Sequence, residues 1–188
     1  MKKILMSLML MFSLAVSAQT ENGFTKFDVQ TDFKDNPFTF FSKPLLLLSG
    51  DKDGSNAMTI GWGALGNVWS YNPCITVYVA EKRFTRKYLE KAKYFTVMKI
   101  GDNVLEYMGS HSGRDGDKAK ALGLHVAYTA NGAPYYTEAT EVYECEIMYG
   151  APFQESGFRN NVPKRMYEHF PAGIHSMYIG QVISAWRK

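Results

Sequence analysis

Apolar and polar residues alternate with period two in two stretches of the chain. Ile75, Val77 and Val79 alternate with Thr76, Tyr78 and Ala80, and Tyr143, Cys145 and Ile147 alternate with Glu144 and Glu146. That spacing turns one face of an extended strand towards a core. Five further runs, at 38–48, 56–62, 94–100, 124–129 and 174–186, are mostly rich in β-branched and aromatic residues. Together with 74–80 and 140–149 they make seven expected strands separated by turn signals. Leu45-Leu46-Leu47-Leu48, bounded by Pro44 and Ser49-Gly50, reads as a buried strand. The pattern predicts a mainly β domain, a sandwich or barrel, with few and short helices. These are expected at 86–92, capped by Thr85 and with Tyr88 and Leu89 as its apolar face, at 103–108, and at 117–122, stopped by Gly123. Residues 150–173 are polar and hold three prolines, with one helical turn expected near 165–169. A connection of that length on a compact barrel reads as a functional flap.

The first 18 residues follow another pattern. Lys2 and Lys3 precede an apolar stretch from Ile4 to Val16, and Val16-Ser17-Ala18 offers small residues at a cleavage site. This is the pattern of a secretory signal peptide cut after Ala18, leaving a single domain over 19–188. The apolar stretch is shorter than the ~20 residues a membrane-spanning helix needs, and no cysteine follows it for lipid attachment. The expected mature protein is therefore exported, periplasmic or secreted, without a membrane span. Export would bring Cys74 and Cys145 into oxidising conditions, where a single disulfide can form. Both lie in strand-like runs, where a lone cysteine behaves as a small hydrophobe. Their pairing is left open, and no histidine lies near either in sequence to make a catalytic thiol.

Composition narrows the function classes. Of 188 residues, 46% are hydrophobic and 21% charged, which excludes a disordered chain. Two cysteines exclude a disulfide-stapled miniprotein and a multi-cysteine zinc or iron–sulfur site. The formal charge of +3, without any run of five basic residues, argues against nucleic-acid binding. His111, His125, His169 and His175 lack metal-ligand spacing, so no metal site is expected. Loss of residues 1–18 would remove Lys2 and Lys3 and bring the charge to +1. It would remove only Phe12 from the aromatics, which make up 14% of the chain and call for a ligand or a large core.

Three segments carry candidate chemistry. Gly61-Trp62-Gly63-Ala64-Leu65-Gly66 fits G-x-G-x-x-G, but the following Asn67-Val68-Trp69-Ser70-Tyr71-Asn72-Pro73 cannot form the helix a dinucleotide fingerprint must open. These glycines instead let backbone approach something flat and bulky. Arg83-Phe84-Thr85-Arg86-Lys87, between a strand and a helix, offers a guanidinium fork and a hydroxyl to an anion, or else an ordinary capped helix start. Gly109-Ser110-His111-Ser112-Gly113-Arg114-Asp115-Gly116-Asp117-Lys118 combines exposed backbone, hydroxyls and cations, as anion-binding nests do, or is a surface loop. Trp62, Trp69, Phe84, Tyr88 and Tyr178 would suit either the core or a flat heteroaromatic ligand.

The run Asn56-Ala57-Met58-Thr59-Ile60-Gly61-Trp62-Gly63, then Arg83-Phe84-Thr85, then residues 109–118, then His175-Ser176-Met177-Tyr178-Ile179-Gly180, resembles the flavin reductase-like family of the FMN-binding split-barrel superfamily. The likeness spans roughly residues 40–186. It implies a Greek-key split β-barrel of six or seven strands that forms a homodimer, with FMN in a groove near the dimer interface. It places the isoalloxazine against the strand bearing Asn56, Met58, Thr59, Ile60 and Trp62. It places the phosphate near Arg83, Phe84, Thr85, Ser110, Ser112, Gly113 and Lys118. Trp62 would be a wall beside the ring, His175 a candidate for the cofactor rim and 150–173 a gate. Relatives take a hydride from a nicotinamide or exchange electrons with protein partners, so a nicotinamide or protein electron donor is implied. The cofactor carries the chemistry, and no side chain is required as general acid. A non-catalytic flavin binder or electron-carrier subunit would use the same anchors. Many relatives carry an acidic residue after the final Ile-Gly, where this chain has Gln181.

Overall fold

The computed structural model describes residues 20–69 and 71–188. The expected signal peptide at 1–18 lies outside them. In chain order the elements are β1 (Thr20–Glu21), β2 (Phe24–Phe27), β3 (Leu45–Asp51), β4 (Gly54–Ile60), β5 (Gly63–Asn67) and β6 (Pro73–Ala80). There follow α1 (Arg86–Leu89), β7 (Tyr94–Lys99), α2 (Asp102–Ser110), α3 (Lys118–Ala121), β8 (Val126–Tyr128) and β9 (Pro134–Tyr136). The chain ends with β10 (Glu141–Pro152), a 3₁₀ turn at Glu155–Gly157, α4 (Asn161–Glu168) and β11 (His175–Arg187).

The main sheet is antiparallel, in the order β4-β3-β7-β10-β11-β6-β5. Its two end strands, β4 and β5, are separated in the chain only by Gly61 and Trp62. The sheet therefore curls until its ends meet at that connection, which makes a split barrel. The long β11 serves two neighbours along one edge: His175–Gln181 pairs with β6, and Ala185–Arg187 pairs with β2. Register shifts in β10 at Glu144/Cys145 and Ile147/Tyr149 bend the strand, as bulges do, and help the closure.

The four consecutive leucines have a simple cause. Leu45 and Leu47 enter the barrel core with Ile75, Val77, Phe95, Val97 and Tyr143. Leu46 and Leu48 face the opposite way, into a second core with Met98, Val104, Leu105, Met108 and Tyr136. A strand covered on both faces loses the period-two pattern. The second core lies beneath α2 and the β8–β9 ribbon, so α2 and the loop after it are held beside β4.

Several boundaries differ from expectation. Residues 38–43 form turns rather than strand: the Asn36 side chain accepts from the Phe38 amide, and its carbonyl accepts from the Thr39 amide. Such side-chain bonding seeds turns in competition with a ladder. β4 stops at Ile60, and β5 was hidden by Gly63 and Gly66, since glycine is depleted in strands. α4 is two turns, not one. The Asn160 side chain accepts from the Val162 amide, and Pro163 sits in the first turn, where its missing N–H costs little. Thr85 makes no side-chain cap bond to α1, which is only four residues long.

Cys74 lies opposite Gln181 and Cys145 opposite Val182, with β11 between them. Two strand spacings, about 9–10 Å, exceed the reach of a disulfide. Both thiols are free and buried, and burial pushes the Cys145 thiol up, with Glu144 and Cys74 adding to the effect. Among the described residues no helix is long and apolar enough to cross a membrane.

Candidate functional site

Among the described residues β4 is paired only with β3, so its other edge is open. The Ala57 carbonyl points to that open edge, where it accepts from Lys118 Nζ at 2.7 Å and Asn56 Nδ2 at 3.0 Å. Alternate residues of an antiparallel strand present their backbone groups to the same side. The N–H and C=O of Thr59 therefore face the open edge as well. Asn56 is buried and also donates through Nδ2 to Thr85 Oγ1 at 2.7 Å, which ties β4 to the start of α1.

The glycine-rich loop closes on this corner. A Cβ on Gly113 would lie 2.0 Å from Asn56 Oδ1 and 2.6 Å from the Phe84 ring, so only glycine fits. Phe84 is flanked by the Lys87 ammonium, 3.7 Å from its centroid, and the Arg114 guanidinium at 5.3 Å. Arg114 Nη2 also donates to the Lys82 carbonyl at 3.1 Å. Residues 56–59, 82–87 and 109–118 thus form one constellation, although the sequence separates them.

Its buried charge is a cation. Lys118 is 7% exposed, and Nζ donates to the carbonyls of Ala57, Met108 (3.2 Å) and His111 (3.2 Å). Among the described residues no carboxylate pairs with it. Burial pushes its pKa down to about 8, and the nearby Arg83 guanidinium adds to the shift. Arg83 is exposed and also acts on His175, whose pKa is pushed down to about 4 by burial first and Arg83 second. A corner that gathers two cations, without a carboxylate on the buried one, favours an anion.

Trp62 stands at the end of β4. Its ring lies 4.7 Å from His175 and 6.4 Å from Phe170, centroid to centroid.

The family model of the flavin reductase like domain matches residues 38–188. The chain belongs to this family. No curated protein matches it. Solved structures share the fold. The FMN-binding domain of a flavin reductase-like enzyme from Shewanella baltica is 17% identical, with TM-score 0.61, covering 90% of this chain and 79% of that one. Flavoredoxin from Methanosarcina acetivorans is 22% identical, with TM-score 0.58 and coverages of 82% and 74%. The FMN-binding protein from Thermus thermophilus is 22% identical, with TM-score 0.57 and coverages of 77% and 69%.

Within this flavin reductase-like domain the expected site residues fall into groups. Asn56, Arg83, Phe84, Thr85, Gly113 and Lys118 meet at the corner. Met58 and Ile60 turn their side chains to the barrel core, leaving β4 to offer backbone there. The Thr59 hydroxyl donates to the Leu105 carbonyl at 2.5 Å, and Gly109 packs against its side chain. Ser110 Oγ donates back along α2 to the Glu106 carbonyl at 2.8 Å, and Ser112 Oγ accepts from the Arg114 amide at 3.2 Å. These two hydroxyls shape the loop. Trp69 pairs with Tyr149 away from the corner, and Tyr178 belongs to the core.

Sequence reasoning missed the aromatic lining of the 150–173 connection. The Tyr167 hydroxyl lies 3.0 Å from His175 Nδ1, Phe158 stacks on Tyr167 at 5.6 Å, and Phe170 lies 5.2 Å from His175. The spacing of Tyr167 and Phe170, three apart in a polar stretch, was the available signal. The connection returns beside the anion corner: the Lys82 amide donates to the Ala172 carbonyl and the Glu81 amide to the Ile174 carbonyl, both at 2.9 Å.

Proposed function

We propose that this chain is an exported, FMN-dependent oxidoreductase of the flavin reductase-like kind, in which FMN cycles between oxidised and reduced forms. The observation that carries the reading is the pairing of Lys118 and Arg83 at a corner sealed by Gly113 and supplied with no counter-carboxylate. A phosphate there would pair with the Arg83 guanidinium and feel the buried Lys118 charge through space, which relieves the repulsion between the two cations. The donor set fits FMN further along the strand. The open edge of β4 offers the N–H and C=O of Thr59, which suit the alternating carbonyl and N–H groups of a flavin's pyrimidine ring. Asn56 and Thr85 hold the corner in shape, and Trp62 walls the ring. Bound FMN would supply the two-electron chemistry, and the protein supplies position, charge and exclusion of water.

His175 enters this reading as a neutral group. It is buried against Trp62 and held by Tyr167, so it shapes the rim and stays uncharged at pH 7. The 150–173 segment, whose first three residues belong to β10, brings Tyr167 and Phe170 to the rim and acts as the gate. The proposed assembly is a homodimer, the proposed donor a nicotinamide or a protein, and the proposed location outside the cytoplasm after cleavage behind Ala18.

The test is a visible absorbance spectrum of the purified protein mixed with FMN, followed by anaerobic addition of NADH, NADPH or a reduced carrier protein. The expected result is a protein-bound flavin band that one of these donors bleaches. Absence of bound flavin contradicts the whole reading. A bound band that no donor bleaches contradicts the oxidoreductase and leaves a flavin-binding protein.

A further inference from the structure

A groove of about 450 Å³ shares Trp62 with the site described above. Its walls are the rings of Phe38, Phe41, Trp62, Tyr78 and Phe153, and its floor is the Gly61–Gly63 connection between β4 and β5. Among the described residues the only other side chain on it is Ser42, whose hydroxyl already donates to the Thr39 carbonyl at 2.6 Å. Among the described residues no lysine, arginine, histidine or carboxylate lines it.

The two glycines of this floor are built differently. A Cβ on Gly63 would fall 2.2–2.4 Å from the Phe41 ring, so that ring lies flat on the bare backbone of β5. A Cβ on Gly61 would meet nothing within 4 Å, so the floor beside it is open. The first glycine admits a ring that the chain supplies. The second leaves room for one that it does not. Phe38 is 99% exposed and Trp62 46% exposed, while Tyr78 and Phe153 face each other at 5.5 Å with their planes 33° apart. Large aromatic side chains left in water around an open concavity mark a binding surface. The volume is that of a small-molecule site.

We infer that this groove binds an uncharged, planar compound of one or two rings, held between Trp62 and Phe38 above Gly61. Ring faces suit such a ligand through stacking. The lack of charge selects against a dinucleotide or a carboxylate, whose charge would be desolvated without a partner. Continuity at Trp62 links the groove to the candidate flavin site. In the part of the inference that rests on the proposed function, the ring compound is the flavin's redox partner. A quinone there takes two electrons and two protons from the reduced flavin and leaves as the hydroquinone, and the flavin returns to its oxidised form.

The experiment uses the protein without and with FMN, and 2-methyl-1,4-naphthoquinone as probe, followed by ¹H–¹⁵N NMR. The expected result is saturable shifts at the Gly61 and Gly63 amides and the Trp62 indole, with NADH producing none at Gly63. Phe38→Ala and Gly61→Val should each weaken quinone binding at least fivefold. Phe38→Ala should leave FMN affinity unchanged. Shifts scattered elsewhere, equal binding of NADH in the groove, or unchanged quinone affinity in both variants overturn the inference. So does a dimer in light scattering that Phe38→Ala dissociates, because a second copy then covers the groove. Failure to bind FMN while the quinone binds overturns the proposed function and leaves the groove standing.

Discussion

Lys118 Nζ donates to the Ala57 carbonyl across 2.7 Å, so a buried ammonium is moored to the open edge of the sheet rather than to a carboxylate. With Met108 and His111 it fastens three segments, β4, the end of α2 and the glycine-rich loop, at one point. The charge is therefore structural and unneutralised at once.

Removing it should show in two ways. Lys118→Met should weaken FMN binding by about tenfold: the N–H groups of Nζ are taken by three carbonyls, so its charge acts on the phosphate through space. It should also speed amide exchange across residues 109–117, since the loop loses its mooring. Fluorescence titration and hydrogen exchange measure the two effects. Unchanged exchange in that loop contradicts the mooring.

The lowered pKa of Lys118, about 8, makes binding pH-dependent. A bound phosphate favours the protonated amine and raises that pKa, so FMN binding takes up a proton where the free protein has lost one. Affinity should fall as pH rises through 8, and the fall should vanish in Lys118→Met. For stability of the flavin-free protein the sign is opposite. Between about 8 and the ordinary lysine value of 10.5 the unfolded chain holds more protons, so this group makes the fold relatively more stable as pH rises.

Gly113→Ala places a methyl 2.0 Å from Asn56 Oδ1. The amide must move, and its bond to Thr85 with it. A stability loss of about 1–3 kcal/mol is expected in denaturant melts, together with weaker FMN binding. Gly116→Ala is not an equivalent control, because Gly116 has a φ of +152° and strains any side chain. Gly157, with nothing within 4 Å of a Cβ, is the proper one.

His175 sets an acid limit. Its pKa is pushed down to about 4 from 6.5, so the stability of the neutral buried ring is fully present above pH 6.5 and is lost as pH falls towards 4. Thermal melts from pH 7 to 4 should show a steeper decline in the wild type than in His175→Gln. Parallel profiles would contradict the assignment.

The proposed export predicts a defined N-terminus. Intact-mass measurement of the protein recovered from a secreting host should show a chain beginning at Gln19, and a cytoplasmic full-length chain would contradict it.

Much of the fold was legible because it is written in local pattern. The alternation over Ile75, Val77 and Val79 is β6, and the leucine run opens β3, which continues through Ser49-Gly50 to Asp51. β5 was not legible, since Gly63 serves the Phe41 ring, a contact 22 residues away in sequence. The ends of α1 misled for a related reason: the Thr85 hydroxyl answers Asn56 across the fold instead of its own helix. For the site, residue types marked Arg83, Gly113 and Lys118 as anion-friendly. Their meeting, and the burial that makes Lys118 a mooring as well as a charge, are tertiary facts. The aromatic rim of Tyr167 and Phe170 was obscured by the polar residues around it.

The account turns on whether the Lys118–Arg83 corner holds a phosphate. The most direct measurement compares the affinities of FMN and riboflavin, which differ only in that group, for the wild type and Arg83→Ala. FMN should bind the wild type at least tenfold more tightly than riboflavin, and Arg83→Ala should narrow that gap while leaving riboflavin affinity unchanged. Equal affinity of the wild type for the two flavins would contradict it.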